Sequence, residues 1–297
     1  MPPEYQSIFD EWSPPVFLTT MVLLCGIIYI RGWYYLRKTR PVQFHTGRLA
    51  SFLLGLVVLW LAIGSPMDGF ADALLSAHMV EHLLLMSFVP PLLLLGDPQV
   101  PLLRGLPSVF TVRILGPLFR LKALRSAGHF FTSPVVAWLA LNLVFLCWHI
   151  PAAYDFALEH ELWHDFEHVC LLGSAILFWW PLIRPWPTSA RYPGWIMVPY
   201  LVSADIVNTV LSAFLAFCGT PVYRYYSEQP NRFHVSLLAD QVTGAVIMWV
   251  IGSSIFLIPA VFITVRLLQQ DSQLQIEDSH ATVFASKLPS RLNEGFK

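Results

Sequence analysis

Seven runs of this chain are long and apolar enough to leave water: 16–35, 49–64, 73–95, 134–150, 162–183, 195–218 and 237–268. A helix crossing the hydrocarbon core needs about 20 mainly apolar residues, and the second and fourth runs are the short ones. None alternates with the two-residue period of a membrane barrel strand. Lipid offers no partner to a free backbone N–H or C=O, so continuous runs of this kind predict helices. Composition agrees: 56% of the 297 residues are apolar and 12% are charged. That charged share is about half that of an ordinary domain, too little to cover so much apolar surface in water. A soluble enzyme, a disordered chain, a basic nucleic-acid binder and a disulfide scaffold are thereby excluded. The cysteines Cys25, Cys147, Cys170 and Cys218 stand singly in apolar stretches and read as small buried hydrophobes.

The few charges orient the runs. Sixteen of the 18 Lys and Arg residues fall on one side if all seven runs cross. They are Arg31, Arg37, Lys38, Arg40 and Arg48 around the first connection, Arg104, Arg113, Arg120, Lys122 and Arg125 in the third, Arg184 and Arg191 in the fifth, and Arg266, Lys287, Arg291 and Lys297 after the last run. Only Arg224 and Arg232 fall on the other side. Positive charge is retained in the cytoplasm, so the expectation is an all-α, seven-transmembrane-helix bundle with its N-terminus outside and its C-terminus cytoplasmic. The acidic N-terminal residues lack the basic start of a cleaved signal peptide, so the first run is expected to stay as an anchor. Residues 1–268 are expected to form one membrane domain. Its basic cytoplasmic segment 96–133 mixes Leu, Val and Phe with Arg and Lys and predicts an amphipathic helix on the inner leaflet. Residues 269–297 read as a polar, mobile cytoplasmic tail. Pro90 and Pro91 are expected to kink or end the third span.

Ionisable groups inside lipid are costly and mark function. On this topology His78, Glu81 and His82 occupy the outer half of span three, and His149 the outer end of span four. His164, Asp165, Glu167 and His168 open span five from outside, preceded by His160; Asp240 is shallow on the same side in span seven. The inner half carries no histidine. Asp68, Asp72, Asp155 and Glu159 in the outer loops make the mouth of this layer acidic, which attracts cations. Asp205, mid-membrane in span six, reads as a protonated packing residue.

One motif recurs: H-x-x-E-H, at His78–His82 and again at His164–His168. On a helix, positions i and i+4 share one face, about 6 Å apart along the axis. Two imidazoles so placed can bind one ion, and the Glu between them can orient a ring or remain a neutral acid. A lone intramembrane histidine is ordinarily a hydrogen-bonded packing residue. Two such pairs and His149 in one layer point instead to a metal or cofactor. His160 extends the second stripe by one turn. The aromatic residues read chiefly as interfacial belt and core, and Met67, Met79, Met86 and Met248 as packing, although thioethers beside imidazoles suit copper in its reduced state.

Several chemistries fit. Transition-metal handling, copper foremost, suits imidazole with nearby sulfur. Haem ligation by His pairs is the alternative, although same-helix haem ligands usually stand further apart than one turn. H-x-x-E-H also reads as an inverted zinc-protease motif with Glu as general base. A proton-coupled transporter is the weakest option, because the charges sit in one leaflet and define no path across.

Linked segments carry a resemblance. Ser65-Pro-Met-Asp68, Leu75-Ser-Ala-His78-Met-Val-Glu-His82-Leu-Leu-Leu-Met86, and Pro90-Pro91 running to Gly96 come first. Trp148-His149-Ile-Pro151, Tyr154-Asp155 and Ala157-Leu158 follow, then His164-x-x-Glu167-His168 running into Phe178-Trp179-Trp180-Pro181. Asp240-Gln241 with Gly244 and Met248-Trp249 closes the series. Together they resemble the CtaG family of cytochrome c oxidase assembly factors, over most of residues 45–265. The family name also covers an unrelated single-span copper chaperone, and seven spans favour the polytopic kind. The resemblance implies a multi-pass protein of the bacterial plasma membrane that matures haem–copper oxidases by supplying copper, with oxidase subunits and an extracytoplasmic copper chaperone as partners and no hydrolase activity. It carries motif positions onto Asp68, His78, His82, His149, Asp155, His164, His168 and Asp240; Glu81 and His160 fall outside it. The resulting expectation is a copper site of His78, His82, His149, His164 and His168, with Asp68, Glu81, Asp155, Glu167 and Asp240 around it as orienting or ion-attracting groups.

Overall fold

A computed structural model describes residues 9–10, 12–186 and 192–287. Of the acidic N-terminal residues Glu4 and Glu11 lie outside them, as do the basic residues Arg191, Arg291 and Lys297. The described residues are helical, with no strand among them. In chain order the helices are α1 (Val16–Thr39), α2 (Thr46–Ile63), α3 (Met67–Ala73), α4 (Leu75–Leu95), α5 (Gln99–Gly105), α6 (Ser108–Arg120) and α7 (Lys122–Phe131). Then come α8 (Pro134–Trp148), α9 (Pro151–Leu158), α10 (Glu161–Ile183), α11 (Gly194–Phe217), α12 (Tyr225–Glu228) and α13 (Leu237–Lys287).

Six of these helices are long and apolar enough to cross a membrane, or up to eight if each of two bent pairs is one span. The pairs are α5 with α6, bent by 117°, and α7 with α8, bent by 66°. The expected fourth span is α8, whose 15 residues are short of a crossing; at 1.5 Å per residue, about 30 Å of hydrocarbon needs some 20. Large apolar side chains such as Phe17, Leu162, Val210 and Phe217 project outward from the long helices, as lipid-facing residues do. The basic segment 96–133 is helical in three pieces, α5 to α7, of which α6 and α7 are mostly exposed. α5 lies hard against α1: a Cβ on Gly32 would meet the Pro101 carbonyl oxygen, and one on Gly105 that of Ile28, so only glycine permits the approach. The last helix continues beyond residue 268 to Lys287.

Pro90 and Pro91 neither end nor break α4. Pro90 has no N–H for the Met86 carbonyl, and its ring would collide there in a regular helix. The chain widens into a π-helical turn over Leu84–Phe88. The freed Met86 carbonyl accepts a hydrogen bond of 3.0 Å from the Trp179 indole of α10. A free carbonyl at this depth thus becomes a helix-to-helix tie.

The described residues form three apolar regions in the interior. Tyr29, Trp33, Phe52 and Leu56 join α1 to α2. Leu141, Phe178, Trp179 and Leu201 pack α8, α10 and α11 at one end of the bundle. Leu75, Met79, Phe145, Tyr154, Leu215, Tyr223 and Met248 surround the histidines nearer the other end.

Candidate metal centre

α3 and α4 are separated by one extended residue, Leu74, with φ of −138° and ψ of 125°. The break leaves the first N–H groups of α4 free, and Asp240 of α13 takes them. Its Oδ2 accepts from Leu75 N at 2.6 Å and its Oδ1 from Ser76 N at 3.2 Å, and the Ser76 hydroxyl also donates to Oδ1. Asp240 is therefore an N-cap supplied from another helix. It sets where α4 begins, and so which face carries His78 and His82.

That face meets α10. The His78 ring centroid lies 4.1 Å from that of His82, 5.3 Å from His164 and 6.3 Å from His168. His82 and His168 are 5.7 Å apart, and His164 and His168 4.3 Å. First histidine faces first and second faces second, so α4 and α10 run parallel. Glu81 and Glu167 are fully buried between them.

Among the described residues two overlapping groups are tight enough to hold an ion. In the triad His78, His82 and His168 one nitrogen from each ring lies within 4.8 Å of the others, and His78, His164 and the Glu167 carboxylate meet the same limit. Nitrogens bound at about 2 Å in tetrahedral or trigonal geometry stand roughly 3.3–3.5 Å apart, so small ring rotations close either group on an ion. Buried polar atoms are nearly always paired. Here both nitrogens of His78 and of His82, Nε2 of His149, His164 and His168, and all four carboxylate oxygens of Glu81 and Glu167 have no hydrogen-bond partner among the described residues. A donor set that is buried, unpaired and convergent fits a metal ion.

The remaining expected residues are placed differently. His149 caps α8 beside the cage, with its centroid 6.2 Å from His82. Asp155 points away: its carboxylate accepts from Arg224 N at 3.3 Å and Tyr225 N at 3.1 Å, pinning α12 over the cage. His160 is exposed, and its Nδ1 bonds the Phe156 carbonyl at 2.9 Å. It precedes α10, so the helical stripe does not reach it. Asp205 has a buried Oδ1 without a partner among the described residues and belongs to neither group. Asp68 lines a cavity of about 550 Å³ with Asp72, Glu161 and Arg232 at the α3 end. Burial first, then the carboxylates of Asp72, Asp165 and Glu161, push Asp68 up to about 6, and burial also raises Asp72.

One wall of the cage was not foreseen. Tyr154 is fully buried, 5.2 Å from the His78 ring and stacked at 3.9 Å on Tyr223. Its hydroxyl bonds that of Tyr226 at 3.1 Å, and Tyr226 donates onward to the Ala71 carbonyl at 3.1 Å. The available signal was the cluster Tyr223, Tyr225 and Tyr226 in the connection between α11 and α13.

Residues 27–270 match the family described as cytochrome c oxidase caa3 assembly factor (Caa3_CtaG). The chain belongs to this family. The match takes in every expected site residue of this Caa3_CtaG protein, from Asp68 to Asp240. It is also similar to proteins described as uncharacterized: one of Mycobacterium leprae, 28% identical over 295 residues, and one each of Mycobacterium bovis and Mycobacterium tuberculosis, 27% identical over 289 residues. Each similarity covers 94% of this chain and 43% of the relative, so the Caa3_CtaG chain spans less than half the length of these relatives. No solved structure matches it.

Proposed function

We propose that this protein binds copper, as Cu(I), in the His78–His82–His164–His168 cage and supplies it to a haem–copper oxidase during assembly. The observation that carries the reading is the convergence of the two H-x-x-E-H motifs, with buried imidazole nitrogens that have no hydrogen-bond partner among the described residues. The family's role in cytochrome c oxidase assembly supports the destination. Copper is then cargo, and the protein's task is to hold, orient and release it rather than to transform a substrate. Oxidase subunits and an extracytoplasmic copper chaperone are the partners this reading needs.

Seven spans, with the N-terminus outside and the C-terminus cytoplasmic in a bacterial plasma membrane, complete the proposal. The parallel run of α4 and α10 supports the count. Two parallel neighbouring spans have an odd number of crossings between them, so one of the two bent pairs crosses and the other does not. The apolar character of α8 favours the α7–α8 pair. With the basic connections inside, the cage lies in the outer half of the membrane and Asp68 and Asp72 face the exterior.

The alternative of a haem protein is less well supported, because the four cage rings, 4.1–6.3 Å apart, pack against one another and leave no slot for a porphyrin. Purified protein in detergent, assayed for metal and by visible spectroscopy, separates the two. Stoichiometric copper, lost in His78→Ala/His164→Ala, is expected. A Soret band at one haem per chain, or no copper under reducing, copper-replete conditions, overturns the copper reading. In cells, deletion is expected to lower oxidase activity, with partial rescue by added copper.

A further inference from the structure

Beside the cage, on the side away from α3, lies a separate cavity of about 40 Å³. A buried water needs roughly 10–15 Å³ on this measure, so the space takes one ion and a water or two. His82 and His149 line it together with Met79, Met86 and Met248. His82 therefore borders both cage and cavity, while His149 belongs to neither of the tight cage groups.

The His149 ring is set for ligation. Its Nδ1 is 2.7 Å from the Phe145 carbonyl oxygen. A carbonyl only accepts, so Nδ1 carries the hydrogen and Nε2 keeps the lone pair. That Nε2 is buried without a hydrogen-bond partner among the described residues, and His149 as a whole is 5% exposed. Met79 and Met248 are buried in the same region. As packing alone, three thioethers would be interchangeable with leucine. Meeting two imidazoles with free nitrogens in one small cavity, they form the donor set of a soft, monovalent cation. Met86 follows His82 by four residues, which is one helical turn or about 6 Å along α4.

We infer that this cavity is a second metal position, softer than the cage, in which His149 Nε2 and the thioethers of Met79, Met86 and Met248 hold a cuprous ion and His82 is the ring shared with the cage. It rests on the copper reading of the cage and adds a second stop one turn further from the acidic end. An ion moves between the two by ligand exchange at His82, with no change of oxidation state.

Anaerobic titration of the purified full chain with Cu(I) against a chromophoric chelator, followed by X-ray absorption at the copper edge, tests it. Wild type is expected to bind two ions per chain and to show copper–sulfur scattering. Met79→Leu/Met86→Leu/Met248→Leu, which conserves volume, is expected to bind one ion with nitrogen scattering only. His78→Gln/His164→Gln is expected to keep one ion, with sulfur. If the triple variant fails to fold, Met248→Leu alone serves, with at least a tenfold loss of affinity for one ion and no change in the other. One ion per wild-type chain with nitrogen-only scattering overturns the inference and leaves the cage reading standing. No copper at all overturns both.

Discussion

His82 Nε2 stands 3.5 Å from the Glu167 carboxylate, and His168 Nε2 stands 3.6 Å from that of Glu81. The second histidine of each motif thus faces the glutamate of the other. The two copies form a reciprocal pair across the α4–α10 contact, so each glutamate faces a histidine of the neighbouring helix.

Reciprocity makes a quantitative prediction. Groups that orient metal-bound imidazoles typically contribute 10–100-fold to metal affinity. Glu81→Gln and Glu167→Gln should each weaken Cu(I) binding by about that factor, and by similar amounts. Chelator competition measures both. A large loss in one variant with none in the other would show that the two carboxylates do different work.

Asp240 bears on the cage through the start of α4. Replacing it by Ala leaves the Leu75 and Ser76 N–H groups unpaired at the start of α4. Unsatisfied buried donors cost about 1–3 kcal/mol each, so Asp240→Ala should lower the melting temperature in detergent together with copper affinity. Asp240→Asn, which keeps one acceptor oxygen, should fall between. Copper lost at an unchanged melting temperature would make Asp240 a ligand instead.

The histidine layer was legible because a 3.6-residue period and a known span length place side chains by arithmetic. His78, His82, His164 and His168 needed nothing more. His160 fits the same period on paper, but a helical stripe holds only inside a helix, and α10 starts one residue later. Asp155 and Asp240 carry motif positions that sequence can show, while their partners, backbone N–H groups 70 and 165 residues away in sequence, carry no side-chain pattern to read. Pro90 shows the same limit. Its missing N–H predicts a defect, but the Trp179 indole that repairs it comes from another helix. The methionines read as packing until the fold put three of them in one cavity with His149.

The acidic mouth should make copper capture sensitive to pH. Asp68 is pushed up to about 6 by burial and by Asp72, Asp165 and Glu161, while Arg232 lines the same cavity. Its folded value is raised, so the folded state holds this proton more tightly than the unfolded chain. Asp68 therefore contributes most to stability in acid, and that contribution is lost as pH rises through about 6. Attraction of cations has the opposite sign, because the carboxylate is charged only above that value. The initial rate of copper uptake by wild type should exceed that of Asp68→Asn at pH 7 and approach it below about pH 5, where the wild-type carboxyl is neutral too. Equal rates at pH 7 would remove Asp68 from the capture path.

The parallel arrangement of α4 and α10 ties the site to the topology. Between them lie two bent pairs, and only one can cross if both long helices run the same way. With α7–α8 crossing, Glu159, exposed between α9 and α10, faces the exterior, and Lys122 at the start of α7 faces the cytoplasm. In a background with Cys25, Cys147, Cys170 and Cys218 replaced by Ala, Glu159→Cys should react with a membrane-impermeant maleimide in intact cells. Lys122→Cys should react only after permeabilisation. Labelling of both from one side would mean that α7–α8 does not cross, and α5–α6 would then be the crossing that keeps α4 and α10 parallel. Labelling in the reverse sense would put the cage in the inner half and make copper reach it from the cytoplasm.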